Sequence, residues 1–215
     1  MRVHSTTFIS LVIALFLPGC QLSESVARPD VAVGSALARG ASLRLPVTPV
    51  QRVVAHALEQ TTITRRYDAS YVALEYPMGD VPLDRGVCSD VIIRAFRAGG
   101  VDLQKEVHED MVRAFKDYPN EWGLRAPDRN IDHRRVPNLM TYFRRRGRAL
   151  PLSRDRKFYA AGDVVAWRLP NGRLHIGIVV DSGLRKVVHN IGSGAQLEDV
   201  LFAWTVVGHY RYFRG

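Results

Sequence analysis

A chain of 215 residues, 47% hydrophobic and 24% charged, is sized for one globular domain with a tail. That composition excludes an intrinsically disordered chain and a membrane-embedded one. The formal charge is +9, and arginine supplies 26 of the 30 basic residues. This leaves two readings: a surface for planar anions, or a GC-rich genome that spells lysine as arginine.

The chain opens with Arg2 and an apolar run, Phe8 to Leu17, that is too short to span a bilayer and the right size for a signal peptide. "LPGC" follows and resembles a bacterial lipobox, with Pro18 an unusual residue inside it. Residues 1–20 are therefore expected to be a lipoprotein-type signal ending in Cys20, the site of lipid attachment. The competing reading is a plain secretory peptide cut further on. Residues 21–48 show no sustained period and are expected to be a linker. The domain proper is expected over 49–215.

Val50–Ile63 has helical apolar spacing. "VCSDVIIRAFRAGG" is predicted to be a helix stopped by Gly99 and Gly100. Asp102–Phe115 is predicted to be an amphipathic helix, and Val136–Gly147 a helix with Pro137 in its first turn. The last third changes to short β-branched and aromatic stretches, "DVVAWRL", "LHIGIVVD", "RKVVHNI" and "VGHYRYF", separated by turn residues. Helices followed by a strand meander predict an α+β fold, with N-terminal helices on an antiparallel sheet of about five strands.

If Cys20 leaves or carries lipid, Cys88 is alone in a compartment that oxidises paired thiols. It is then a buried small hydrophobe or a reactive thiol. Its place at a helix start favours thiolate, so a lowered pKa is expected. In "LHIGIVVD", His175, Gly177 and Val179 share one strand face, and Gly177 leaves room for a helix start to bring Cys88 to the imidazole. The next strand should orient the base. A three-residue "DSG" loop with Gly183 left-handed sets His189 opposite His175, and a two-residue turn sets Asn190 there; "DSG" suits the former. Asp132, His133, Arg134 and Arg135 are either a substrate-binding cluster for an anion or a buried ion pair ahead of a helix. "HED" at His108 lacks the second histidine of a zinc helix, and "FRRRGR" reads as a solvated face.

"YPMGDVPLDRGVCSD", "AGDVVAWRLPNGRLHIGIVVDSG" and "KVVHNIG" together resemble the NlpC-type cell-wall peptidases, a papain-like group. "DVPLDRGVC", "NIDHRRVPNL" and "HNIG" narrow the resemblance to the YijF-like bacterial family, over about residues 50–213. The broader group implies a papain-like fold with Cys88 as nucleophile, His175 as base and His189 as third residue. It also implies Tyr76 as a tyrosine ahead of the cysteine that helps hold substrate or oxyanion. Val87 stands where the group usually has aspartate, and residues 100–161 separate the cysteine helix from the sheet by more than in compact members.

The expected function is an exported cysteine hydrolase cutting an amide bond in peptidoglycan stem peptide, with no metal or organic cofactor. The expected partners are peptidoglycan and, through lipid on Cys20, the periplasmic side of the outer membrane; nucleic acid is not among them. The rivals are an inactive envelope-binding module of the same fold and a thiol acyltransferase or lipid hydrolase.

Overall fold

Helix α1 (Pro49–Ile63) starts on a reciprocal cap: Thr48 Oγ1 accepts the Gln51 N–H at 3.1 Å while Gln51 Oε1 accepts the Thr48 N–H at 2.8 Å. Pro49 occupies the first turn, where its missing N–H costs nothing. These are the first described residues of a computed structural model that covers 47–213 apart from Ser182. The signal-like segment, Cys20 and nearly all of the expected linker lie outside the described residues.

Two very short strands, β1 (Arg66–Tyr67) and β2 (Arg85–Gly86), pair in parallel and lead into α2 (Cys88–Ala98). Helix α3 (Leu103–Ala114) is capped by Asp102, whose carboxylate accepts the Gln104 N–H at 3.1 Å. Helix α4 (Val136–Arg145) follows a 3₁₀ turn at Asp132–Arg134. The sheet then forms from β3 (Val164–Arg168), β4 (Leu174–Asp181), β5 (Lys186–Asn190), β6 (Ala195–Asp199) and β7 (Thr205–Tyr210), in the order β6-β5-β4-β3-β7 and antiparallel throughout. The fold is α+β, with helices on a five-stranded antiparallel sheet. Among the described residues no helix is long and apolar enough to cross a membrane.

Strand alternation divides the sheet into two faces. Val164, Ala166, Ile176, Ile178 and Val188 point at the helices and meet Ile92, Phe96, Leu139 and Phe143. Each such side chain contributes roughly 1.5–3 kcal/mol by leaving water. Val165, Trp167, Val179, Val187 and Leu201 form a smaller second core behind the sheet. The Trp167 indole N–H donates to the Leu201 carbonyl at 3.0 Å, so its polar end is satisfied where it is buried.

Two features depart from the sequence reading. Strand β6 escaped it because "AQLED" alternates too few apolar residues to read as a strand; it is an edge strand with a half-exposed face. Helix α2, expected only as a helix with a glycine stop, buries every residue from Cys88 through Phe96. Its polar residues are absorbed by partners. Arg94 reaches Asp80 at 3.0 Å and the carbonyls of Val81 and Arg85. Asp90 meets Arg134.

Candidate active site

Helix α2 can start at Cys88 because the chain before it is held from two sides. Asn190, at the end of β5, donates to the Gly86 carbonyl at 2.9 Å and the Arg66 carbonyl at 3.3 Å. From the other side, the Asp90 carboxylate accepts the Val87 N–H at 2.6 Å. Asp90 is itself gripped by Arg134 through two bonds of 2.9 Å, the parallel fork of a guanidinium on a carboxylate. A Cβ on Gly86 would lie 2.8 Å from Asp90 Oδ2, so this turn needs glycine to let the carboxylate in.

Cys88 is only 5% exposed. The backbone N–H groups of Ile176, Ser89 and Cys88 itself favour its thiolate form. A cavity of about 190 Å³ opens beside it, lined by Tyr67, Ala69, Val87, Ile131, Arg134, Val136 and Leu174. The lowered thiol pKa expected from the helix start is corrected: burial pushes the thiol up to about 12 and the Asp90 charge adds to it. The N–H groups of the helix start and of β4 oppose that rise without cancelling it.

His175 lies one residue from Ile176 on β4, but its side chain points to the other face of the sheet. There it stacks on Trp167 at 5.8 Å and meets Trp204 edge-on at 5.6 Å. Its Nε2 is 2.9 Å from His189 Nδ1, and His189 Nε2 is 2.7 Å from the Glu198 carboxylate. Burial pushes the His175 pKa down to about 3, with the His189 charge adding to it; burial also lowers that of His189, against the pull of Glu198. Both rings are therefore neutral at ordinary pH. That fixes the tautomers. The Glu198 carboxylate 2.7 Å from His189 Nε2 favours the proton on that nitrogen, although the N–H does not point along a hydrogen bond to it, and His189 Nδ1 then carries a lone pair. His175 Nε2–H then donates to that lone pair, which leaves His175 Nδ1 as the free base. Among the described residues no hydrogen bond joins the Cys88 sulfur to His175.

The third residue shares the base's face for a reason other than the one expected. Ile178 pairs with Val188 and Val179 with Val187, then Asp181 with Lys186. The connection is thus longer than "DSG", and Arg185, not Gly183, is the left-handed residue (φ 56°). His189 is a diagonal neighbour of His175, and Asn190 faces the helices. Gly177 is corrected likewise. A Cβ there would come within 2.7 Å of Val187 Cγ1 and 3.1 Å of His189 Cβ. The glycine admits β5 and its histidine, not the helix start.

Tyr76 does not stand at the thiol. Its ring packs edge-on against His108 at 5.3 Å, with the Arg129 guanidinium 5.7 Å from the ring centre. Tyr67 lines the Cys88 cavity instead. Burial raises its phenol to about 12, and the neighbouring Cys88 adds to the rise, so it remains a proton donor. The pairing of Tyr67 with Gly86 puts it there, which no sequence period reveals.

The insertion cluster divides. Arg134 reaches the cavity edge, but its guanidinium is bound by Asp90 and the carbonyls of Ser70 and Asp68. Arg135 pairs with Asp132 at 3.1 Å and lies 3.9 Å over the Trp122 ring. Burial raises the Asp132 carboxyl and pushes His133 down to about 3; neither residue, nor Arg135, lines the Cys88 cavity. Glu198 is the residue that sequence reading missed, because it sits on the unrecognised strand β6.

A family described as "Domain of unknown function (DUF1287)" matches residues 54–212. Over 161 residues the chain is 58% identical to the uncharacterized protein YijF of Escherichia coli (strain K12), covering 73% of this chain and 78% of that one. Two solved structures are similar at low levels. NlpC1 from Trichomonas vaginalis gives a TM-score of 0.43 at 14% identity, over 78% of this chain and 45% of that one. A protein of Staphylococcus aureus subsp. aureus Mu50, titled as similar to lipoprotein and of the NLP/P60 family, gives 0.40 at 13% identity, over 78% and 42%. This chain spans less than half the length of either solved chain.

Proposed function

The chain belongs to the DUF1287 family, and we propose that it is a cell-envelope thiol hydrolase that cleaves an amide bond in peptidoglycan stem peptide. The observation that carries this reading lies at β4: a helix-start cysteine packs on its helical face, and His175, adjacent to Ile176, is held by His189 beside Glu198 on its rear face.

The step requires the His175 ring, which rests on the other face of the sheet, to reach the sulfur; the Cys88 thiol then gives its proton to His175 Nδ1 while the sulfur attacks the amide carbonyl carbon. The Cys88 backbone N–H and the Tyr67 hydroxyl stabilise the oxyanion. The C–N bond then breaks, and the leaving nitrogen takes the proton from His175. Water, deprotonated by the same nitrogen, hydrolyses the thioester and returns the thiol. With the thiol near 12 and the imidazole near 3, the resting site holds two neutral groups, so proton transfer accompanies attack rather than preceding it. Lipid on Cys20 would hold the enzyme at the outer membrane, facing the periplasm.

A second reading has its own observation. A thiol 5% exposed, with no hydrogen bond to the histidine, also suits a module that binds envelope peptide without cutting it. Digestion of purified sacculi by the full chain, with products identified by mass, decides between them. Released peptide that vanishes in Cys88→Ala supports the hydrolase; sedimentation with sacculi and no release supports the module.

A further inference from the structure

A second, larger cavity of about 580 Å³ lies where the β3–β4 turn, the 152–154 segment and the approach to β7 converge. Its apolar wall includes Leu152, Leu169, Phe202 and Trp204; its charged residues are Arg154 and Arg168, and no carboxylate lines it. Arg168 makes one bond, 3.2 Å to the Gly172 carbonyl, and neither guanidinium is in an ion pair among the described residues. Trp204 joins this cavity to the histidine pair, since the same ring packs on His175 at 5.6 Å and on His189 at 5.8 Å; the cavity at Cys88 lies on the other face of the sheet and shares no lining residue with it.

We propose that this groove binds a carboxylate-bearing arm of the substrate, with the arm's apolar face on Trp204 and Phe202 and its carboxylate between Arg154 and Arg168. The inference rests on the reading of the site as an amide hydrolase and names what that site selects. Two guanidiniums beside an aromatic wall offer forked hydrogen bonds to a planar anion and a surface for a ring or alkyl chain. The arginines of the insertion cannot serve in this way, because Arg134 is spent on Asp90 and Arg135 on Asp132 and Trp122.

The test uses the full chain carrying Cys88→Ala, so that binding is read without turnover. The probes are the disaccharide tripeptide of peptidoglycan with free carboxylates and the same molecule fully amidated. The indole N–H resonance of Trp204, assigned through Trp204→Phe, is followed by NMR during titration. The expected result is a saturable shift with at least about tenfold tighter binding of the free acid, a ratio that falls toward one in Arg154→Gln/Arg168→Gln. Equal binding of both probes, no shift at Trp204, or an acid preference that survives the double variant overturns the groove. Turnover by the Cys88 parent is scored separately. Cutting without acid preference rejects the groove and keeps the hydrolase, and acid preference without cutting does the reverse.

Discussion

The two faces of the sheet are built on different principles. On the helical face the buried charges of α2 are paired: Asp90 meets Arg134 at 2.9 Å and Arg94 meets Asp80 at 3.0 Å. The rear face carries a chain of groups that ends in water, from buried His175 through buried His189 to half-exposed Glu198, under two tryptophans and beside an open groove. Cys88 lies on the first face and His175 on the second. The first network fixes the groups around the sulfur; the second leaves a path from the imidazole to water.

The contrast is tested most severely at Cys88. Cys88→Ala should abolish amide cleavage and leave the thermal transition within a degree or two, since one small buried group is lost. Iodoacetamide should label the native thiol slowly at pH 7.5, far below a free cysteine, because burial holds it protonated. Rapid labelling would show that the rear face already reaches the sulfur at rest.

Arg134→Leu should be the costliest change for stability. It leaves Asp90 buried and alone, at about 3–5 kcal/mol by urea denaturation. No comparable loss should follow Glu198→Gln on the rear face.

Acid should act through the rear face. His175 is pushed from 6.5 to about 3, so the unfolded chain binds protons that the folded one refuses. Stability from burying it neutral is full above pH 6.5 and is lost as pH falls from there toward 3. Buried His133, also near 3, adds to the same slope. The His175→Gln variant should flatten the decline; an unchanged slope would place the titrating group elsewhere.

The adjacent pair on β5 sharpens the division. Asn190→Ala should cost stability by about 1–3 kcal/mol, because the Gly86 carbonyl loses its buried donor. His189→Ala should instead lower kcat. The smallest effect belongs to Glu198→Gln. Replacing the carboxylate 2.7 Å from His189 Nε2 by an amide should lower kcat/KM by about tenfold and shift the acid limb of its pH profile. An identical profile would mean that Glu198 orients nothing.

Much of this was legible beforehand. The apolar periods placed α1 to α4 and β4 to within a residue or two; of the Cys88, His175 and His189 set, the structure joins the two histidines and leaves Cys88 on the other face of the sheet. Face assignment within β4 and β5 depended only on parity, which is why His189 came out on the right face although the turn was misread. What escaped was long-range. Tyr67 replaces Tyr76 at the thiol through a two-residue parallel pairing, and Glu198 enters through an edge strand without an apolar signal. Burial reversed the thiol pKa because a helix start says nothing about what closes over it.

The props of Cys88 also come from far along the chain. Arg134 is 44 residues beyond Asp90, and Asn190 is 104 beyond Gly86. A nascent chain that has emerged only through α2 has neither. Its cysteine is an ordinary exposed thiol on an unfinished helix, without the sheet that later covers it. The last strands to be made complete the enclosure of that sulfur, so the thiol is open to alkylation and oxidation during synthesis and loses that reactivity as the sheet closes over it.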